Sequence, residues 1–287
     1  MIQTRIAGLS VCVEGGDPEF FSYRLREYEE TVTQPDLSIH MSRVSDVLIQ
    51  DGEELLHRDG LLLKRSQDGW ICRYTIGKKT GRVLQCSRST PDYAEWQYEM
   101  YEDRRHPTLS MTDFEYLYSG EAFANRLAYL GGLVMHGSCI DYRGNGIVFS
   151  APSGTGKSTH TGLWKQYYGE DVKHINDDKP AIRFDGDVPI VYGTPWSGKT
   201  DTNANISAPL RAIVFLEQAP ENHIEPLPIE EAMVRIHRET VRPFYDAELG
   251  LKVLETTERL IRSVPVFLLR CTISEEAVNL VKNTLNW

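Results

Sequence analysis

The spacing of apolar residues changes about two-fifths of the way along the chain. Over residues 1–110 they fall in short runs, such as Leu61–Lys64, Trp70–Ile76 and Arg82–Cys86. Gln-Asp-Gly at 67–69 and Lys-Lys-Thr-Gly at 78–81 separate these runs. Runs of that length punctuated by turn-forming residues predict an antiparallel meander. Trp96, Tyr98 and Met100 alternate, which fits another strand or one side of a short helix. The polar segment Arg104–Met111 marks a soft boundary. Beyond it Thr112 and Glu115 form a capping-box pattern, Phe114, Leu117, Leu127 and Leu130 fall near one helical face, and Gly131-Gly132 closes the helix.

From there strands and helices alternate. Leu133–Tyr142 and Ile147–Ser150 read as strands joined by an Arg-Gly-Asn-Gly turn, followed by a helix from Lys157 to Tyr168 that ends at Gly169. Val172–Asn176, Ala181–Phe184, Val188–Tyr192 and Leu210–Glu217 read as strands. Helices are expected at Ile229–Val241 and Ala247–Arg262, then a strand at Val264–Cys271 and a helix over Glu275–Asn286 with Ser274 at its N-cap. The expectation is a β-rich N-terminal domain, 1–110, and an α/β domain, 111–287.

With 287 residues, 41% of them hydrophobic, the chain can build a sizeable core. No run approaches the roughly 18 apolar residues that span a bilayer, and the N-terminus lacks the pattern of a secretory signal, so a cytoplasmic protein is expected. The net charge of −10 argues against nucleic acid as a partner. Cys12, Cys72, Cys86, Cys139 and Cys271 are scattered, with no CxxC pair, and read as core thiols rather than a zinc site.

The segment Ala151-Pro-Ser-Gly-Thr-Gly-Lys-Ser158 changes the picture. Triphosphates concentrate negative charge, and a glycine-rich turn converges backbone N–H groups upon it. Ser153, Gly154, Thr155 and Gly156 supply the turn, and the helix that follows adds its dipole and unpaired amides. Lys157 is placed to reach the β- and γ-phosphates, Ser158 to ligate magnesium and Thr159 to close the cradle. An apolar strand runs into the loop and a helix runs out of it, as a phosphate-binding loop for a nucleoside triphosphate and Mg2+ requires. Nineteen residues after Ser158, Asp177-Asp178 places two carboxylates at a strand's end, where one can hold the metal and the other take a proton.

Met135-His136-Gly137-Ser138-Cys139-Ile140-Asp141, a hairpin, Ser-Gly-Thr-Gly-Lys-Ser and then Asp-Asp together resemble the catalytic domain of HPr kinase/phosphorylase. The segment is similar also to ATP-dependent phosphoenolpyruvate carboxykinases, which share that nucleotide-binding core. The resemblance covers about residues 133–217. It implies an antiparallel hairpin feeding the loop, a functional His136, Asp177 as general base and Asp178 as magnesium ligand. It also implies ATP as donor, a serine-like hydroxyl on a small molecule, peptide or protein as acceptor, and homo-oligomers. In place of the arginine-bearing signature of HPr kinases stands Tyr192-Gly-Thr-Pro-Trp-Ser-Gly-Lys199, which resembles HPr-kinase-related proteins found beside peptide-modification genes. In that loop Lys199, with Asn203 and Asn205 nearby, is a candidate to cover the triphosphate or line the acceptor pocket. Arg235, Arg238 and Arg242 recur at helical spacing and either grip an anionic substrate or form a solvated face. Two other classes stay open: a nucleotide-binding regulator without catalysis, and a carboxykinase-type lyase, which needs a second metal site built from lysine and histidine.

Overall fold

The computed structural model describes residues 1–198 and 200–287 and divides the chain into two compact units, Met1–Arg126 and Leu127–Trp287. The first holds β1 (Ile2–Ile6), β2 (Leu9–Gly15), α1 (Pro18–Leu25), β3 (Leu37–Val44), β4 (Glu53–Arg58), β5 (Leu61–Arg65), β6 (Ile71–Ile76), β7 (Val83–Ser89) and β8 (Glu95–Tyr101). Its eight strands lie in the order β1-β2-β3-β8-β7-β6-β5-β4. The stretch from β4 to β8 is the antiparallel meander that the turn residues announce. Trp96, Tyr98 and Met100 lie on β8, all buried on one face. β8 then pairs parallel with β3, and β3 parallel with β2.

The helix after the meander, α2 (Met111–Tyr129), starts two residues early and with a different cap. Ser110 Oγ accepts from the Asp113 amide at 3.1 Å, and Asp113 Oδ2 accepts from the Ser110 amide at 2.7 Å, so the reciprocal box is Ser110–Asp113 and not Thr112–Glu115. Glu115 is instead wholly buried, taking Arg43 Nε at 2.7 Å, Arg43 Nη2 at 3.0 Å and the Asp17 amide at 3.0 Å. Phe114 and Leu127 face inward as expected, whereas Leu117 and Leu130 are exposed. Glu121 binds Arg73, and the Tyr118 carbonyl accepts from Tyr98 Oη, so most of α2 belongs to the first unit. The division therefore falls near its C-terminal end instead of in the polar segment 104–111.

The second unit is mixed α/β. It runs β9 (Leu133–Val134), β10 (Gly137–Tyr142), β11 (Asn145–Ser150), α3 (Lys157–Tyr168), β12 (Val172–Asp178), β13 (Ala181–Asp185), β14 (Val188–Tyr192), β15 (Ser207–Gln218), β16 (His223–Pro226), α4 (Ile229–Glu239), α5 (Ala247–Ser263), β17 (Val266–Cys271) and α6 (Glu275–Thr284). The main path is β12-β10-β11-β15-β14-β13-β9, with β17 on the far half of β15 and β16 beyond it. β10 and β11 form the expected antiparallel hairpin, while β11, β15 and β17 run parallel, so their C-terminal ends lie together. Ile147, Phe149, Trp164, Val214, Leu269 and Val281 close the core beneath them. Each such side chain contributes about 1.5–3 kcal/mol by leaving water.

The strand expected over Leu133–Tyr142 is broken. β9 pairs with β13, β10 with β11 and β12, and His136 sits at the break. β16 carries only four residues with no apolar alternation and was not foreseen. Cys12, Cys72, Cys86 and Cys139 are buried free thiols, and Cys271 is half-buried. Among the described residues no helix is long and apolar enough to cross a membrane.

Candidate functional site

β11 ends at Ser150 and the chain turns through Ala151–Gly156 before α3 begins at Lys157. Gly154 and Gly156 have φ of +81° and +112°, angles that side chains resist, and a Cβ at either would point into open space. Asp17, Asp246 and Ser274 cap α1, α5 and α6 with side-chain oxygens, but α3 begins on Gly156 with no side-chain cap and no acid in its first turn. Its leading amides therefore keep their capacity for an anion. Lys157 Nζ donates to the Ala151 carbonyl at 2.8 Å and lies within 3.4 Å of that of Pro152, and burial lowers its pKa. Ser153, Ser158 and Thr159 are exposed, and Gln218 at the end of β15 holds the Thr155 carbonyl at 3.1 Å.

The two aspartates belong to β12 itself, not to a turn after it. Asn176, fully buried, donates to the Thr194 carbonyl at 2.7 Å, and its Oδ1 accepts from the amides of Asp178 at 3.0 Å and Lys179 at 2.7 Å. That clamp fixes the backbone on which the carboxylates ride. They diverge. Ser158 Oγ donates to Asp177 Oδ1 at 2.8 Å, whereas Asp178 has its Oδ1 3.4 Å from His136 Nε2 and its Oδ2 3.2 Å from Lys179 Nζ. The hydroxyl expected to share a metal with Asp178 thus sits on its neighbour. A serine hydroxyl beside one carboxylate suits magnesium, which takes few protein ligands and completes its shell from phosphates and water. Among the described residues no three His, Cys, Asp or Glu side chains form a larger metal cluster.

His136 is fixed on every side. Its amide donates to the Glu239 carbonyl at 2.7 Å, its carbonyl accepts from Ser150 Oγ at 2.8 Å, and its Nδ1 lies 3.2 Å from Glu239 Oε2. Burial, with Lys179 and Lys157 near, lowers its pKa against the opposing pull of Asp178 and Glu239. His136, Ser153, Gly154, Gly156, Lys157, Ser158, Thr159, Asp177 and Asp178 thus gather around one cavity of about 330 Å³. Asn176 and Glu239 escaped the sequence reading. Asn176 could have been suspected from its place before the carboxylate pair, but nothing local marks Glu239.

A larger cavity of about 740 Å³ opens on the other side of the loop, lined by Ser153, Gly154, Glu217, Glu231, Arg235 and Arg238. Arg235 pairs with Glu217 and Glu231, Arg238 with Glu239, and Arg242 turns back to the carbonyls of His237 and Thr240. The three arginines are therefore not one stripe: two border a cavity and one braces its own helix end. In the 194–199 segment Thr194, Trp196 and Ser197 are buried and Gly198 packs against Asp178. Lys199 lies outside the described residues.

A model of the SynChlorMet cassette protein ScmC family matches residues 119–285. No curated protein matches the chain. Among solved structures, the HPr(Ser) kinase/phosphatase from Coxiella burnetii is similar over 53% of this chain and 87% of that one. The identity is 12% and the TM-score 0.31, too low to bear on function. The family match takes in the loop, the aspartate pair, His136 and Glu239 and spans more than half of the sequence: the chain belongs to the SynChlorMet cassette protein ScmC family.

Proposed function

We propose that this chain is an ATP- and Mg2+-dependent kinase of the HPr kinase/phosphorylase-like type that transfers the γ-phosphoryl group to a serine-like hydroxyl. The observation that carries the reading is the convergence of the uncapped loop–helix, Lys157, Ser158, both aspartates and His136 on one cavity of about 330 Å³. Phosphoryl transfer needs chiefly positioning and charge neutralisation, and these groups supply both. The loop amides and Lys157 bind the phosphates. Ser158 and Asp177 hold magnesium, which when bound neutralises phosphate charge. The geometry favours Asp178 over Asp177 as proton acceptor, because Asp177 is engaged by Ser158 while Asp178 is backed by His136. The acceptor oxygen bonds to the γ-phosphorus, the bond to the β,γ-bridging oxygen breaks, ADP leaves with that electron pair, and Asp178 takes the hydroxyl proton.

The test is incubation with γ-labelled ATP and magnesium against free serine, other small alcohols and serine-bearing peptides. A labelled acceptor that disappears in Asp178→Asn, with nucleotide affinity within a few-fold, is expected. Label that survives Asp178→Asn but not Asp177→Asn returns the proton to Asp177. Nucleotide binding with no acceptor labelled favours a regulator. A carboxykinase-type lyase needs a second metal site built from lysine and histidine, and His136 and Lys179, which both face Asp178, are the residues of those types beside the loop. Nucleotide-dependent decarboxylation of oxaloacetate is the measurement that separates that reaction from a kinase.

A further inference from the structure

Glu239 is the last residue of α4, and its position makes poor sense for stability. The C-terminal end of a helix carries partial negative charge, so a carboxylate there is disfavoured. This one is also only 12% exposed. It is held in place all the same. The chain after α4 is stitched to the break between β9 and β10, with the His136 amide on the Glu239 carbonyl and the Val241 amide on the Val134 carbonyl at 2.8 Å. The side chain divides its oxygens: Oε1 takes Arg238 Nε at 3.3 Å, and Oε2 faces His136 Nδ1 at 3.2 Å. On the far side of the ring, Nε2 faces Asp178 Oδ1 at 3.4 Å.

A neutral imidazole carries one proton, and each of its nitrogens here faces a carboxylate. Asp178 also has Lys179, and the backbone bond beside Glu239 fixes that carboxylate against Nδ1. We propose that Glu239 is a positioning residue that holds the His136 proton on Nδ1 and so leaves the Nε2 lone pair facing Asp178. In that tautomer the side of the ring that faces Asp178 presents a lone pair instead of a competing N–H. The arrangement is Glu239–His136–Asp178, an orienting carboxylate, an imidazole and a working carboxylate, in which Glu239 acts through the ring. The catalytic part of this inference rests on the kinase reading, but the tautomer does not.

The experiment compares the unaltered protein with Glu239→Gln and Glu239→Asp. It reads the imidazole ¹⁵N shifts of His136 (assigned by their loss in His136→Gln), the thermal midpoint and steady-state kinetics on a labelled acceptor. In the unaltered protein Nδ1 carries the proton. Glu239→Gln moves the shifts towards a mixture of tautomers, lowers kcat on the order of tenfold with KM nearly unchanged, and leaves the midpoint equal or higher. Glu239→Asp recovers part of kcat. Unchanged nitrogen shifts in Glu239→Gln, or a proton on Nε2 in the unaltered protein, overturns the assignment. A fall in kcat only in proportion to lost stability also overturns it, by reducing Glu239 to a structural group. If the unaltered protein labels no acceptor while the shifts still follow Glu239, the kinase reading fails and the positioning stands.

Discussion

Glu115 satisfies two incompatible readings, and a single substitution separates them. As the N3 residue of a capping box it would support one helix end, and Glu115→Ala would cost about 1 kcal/mol. In the structure it is fully buried and accepts three hydrogen bonds, two from Arg43 and one from the Asp17 amide. A hydrogen bond to a charged group contributes about 1.5–3 kcal/mol net, and an orphaned buried amide costs about 1–3 kcal/mol. Arg43 is 42% exposed, so its guanidinium regains water and part of its loss is recovered. The expected net loss is about 3 kcal/mol, or about 10 °C in the midpoint of a unit this size. Urea unfolding followed by circular dichroism and by fluorescence of Trp70 and Trp96, both in the first unit, measures it. Arg43→Ala costs at least as much, because it leaves the carboxylate buried with one partner, and the double variant loses less than the two singles combined. A loss of 1 kcal/mol or less, or strict additivity, refutes the buried-pair reasoning and restores the cap.

Other expectations concern the second unit. Lys157→Ala removes a charge that in a half-exposed setting contributes roughly 2 kcal/mol to phosphate binding, on the order of thirtyfold in Kd for MgATP by calorimetry; intact affinity discredits the loop as a phosphate site. His160 is 4% exposed, and burial pushes its pKa from the ordinary 6.5 down to about 4. The folded form stays neutral where the unfolded chain takes a proton, so stability is full above pH 6.5 and falls by about 3 kcal/mol as pH drops to 4. His160→Gln, which keeps an acceptor for the Trp164 indole, flattens that slope; an unchanged slope assigns the acid sensitivity elsewhere. A Cβ at Gly193 would lie 1.9 Å from the Ala204 carbonyl oxygen. Gly193→Ala therefore pushes 202–204 away from β12 at a cost of about 3 kcal/mol, with faster hydrogen exchange at the Asp177 amide, which bonds the Thr202 carbonyl; unaltered exchange contradicts this.

The strand–loop–helix unit was legible because its determinants are contiguous: strand, two glycines, lysine, serine and helix follow within a dozen residues, and α3 starts and ends where the pattern placed it. The meander was legible for the same local reason, since each turn announces itself. The parallel pairings of β2, β3 and β8 were not, because nothing within a strand specifies a parallel partner across a long connection. Ser110-x-x-Asp113 and Thr112-x-x-Glu115 both fit a cap, and only the burial of Glu115 against Arg43 decides between them. Within the site, the sequence indicates that two carboxylates stand at one strand end but not which of them Ser158 meets. Glu239 was invisible because an acid at the end of an amphipathic helix looks like solvated surface until its partner, 103 residues earlier, is seen.

That separation has a bearing on the order in which the working protein comes into being. β10, β11, α3 and β12 are consecutive, and the contacts that steady the loop and the aspartates reach on to Thr194, Thr202 and, through Gln218 on the Thr155 carbonyl, to the end of β15. The ring of His136, by contrast, gains its second carboxylate only when the chain has been made and folded as far as residue 239. On the proposed reading, a chain made as far as residue 218 carries every group of the nucleotide cradle but still lacks the carboxylate that orients the ring beside the acceptor's proton.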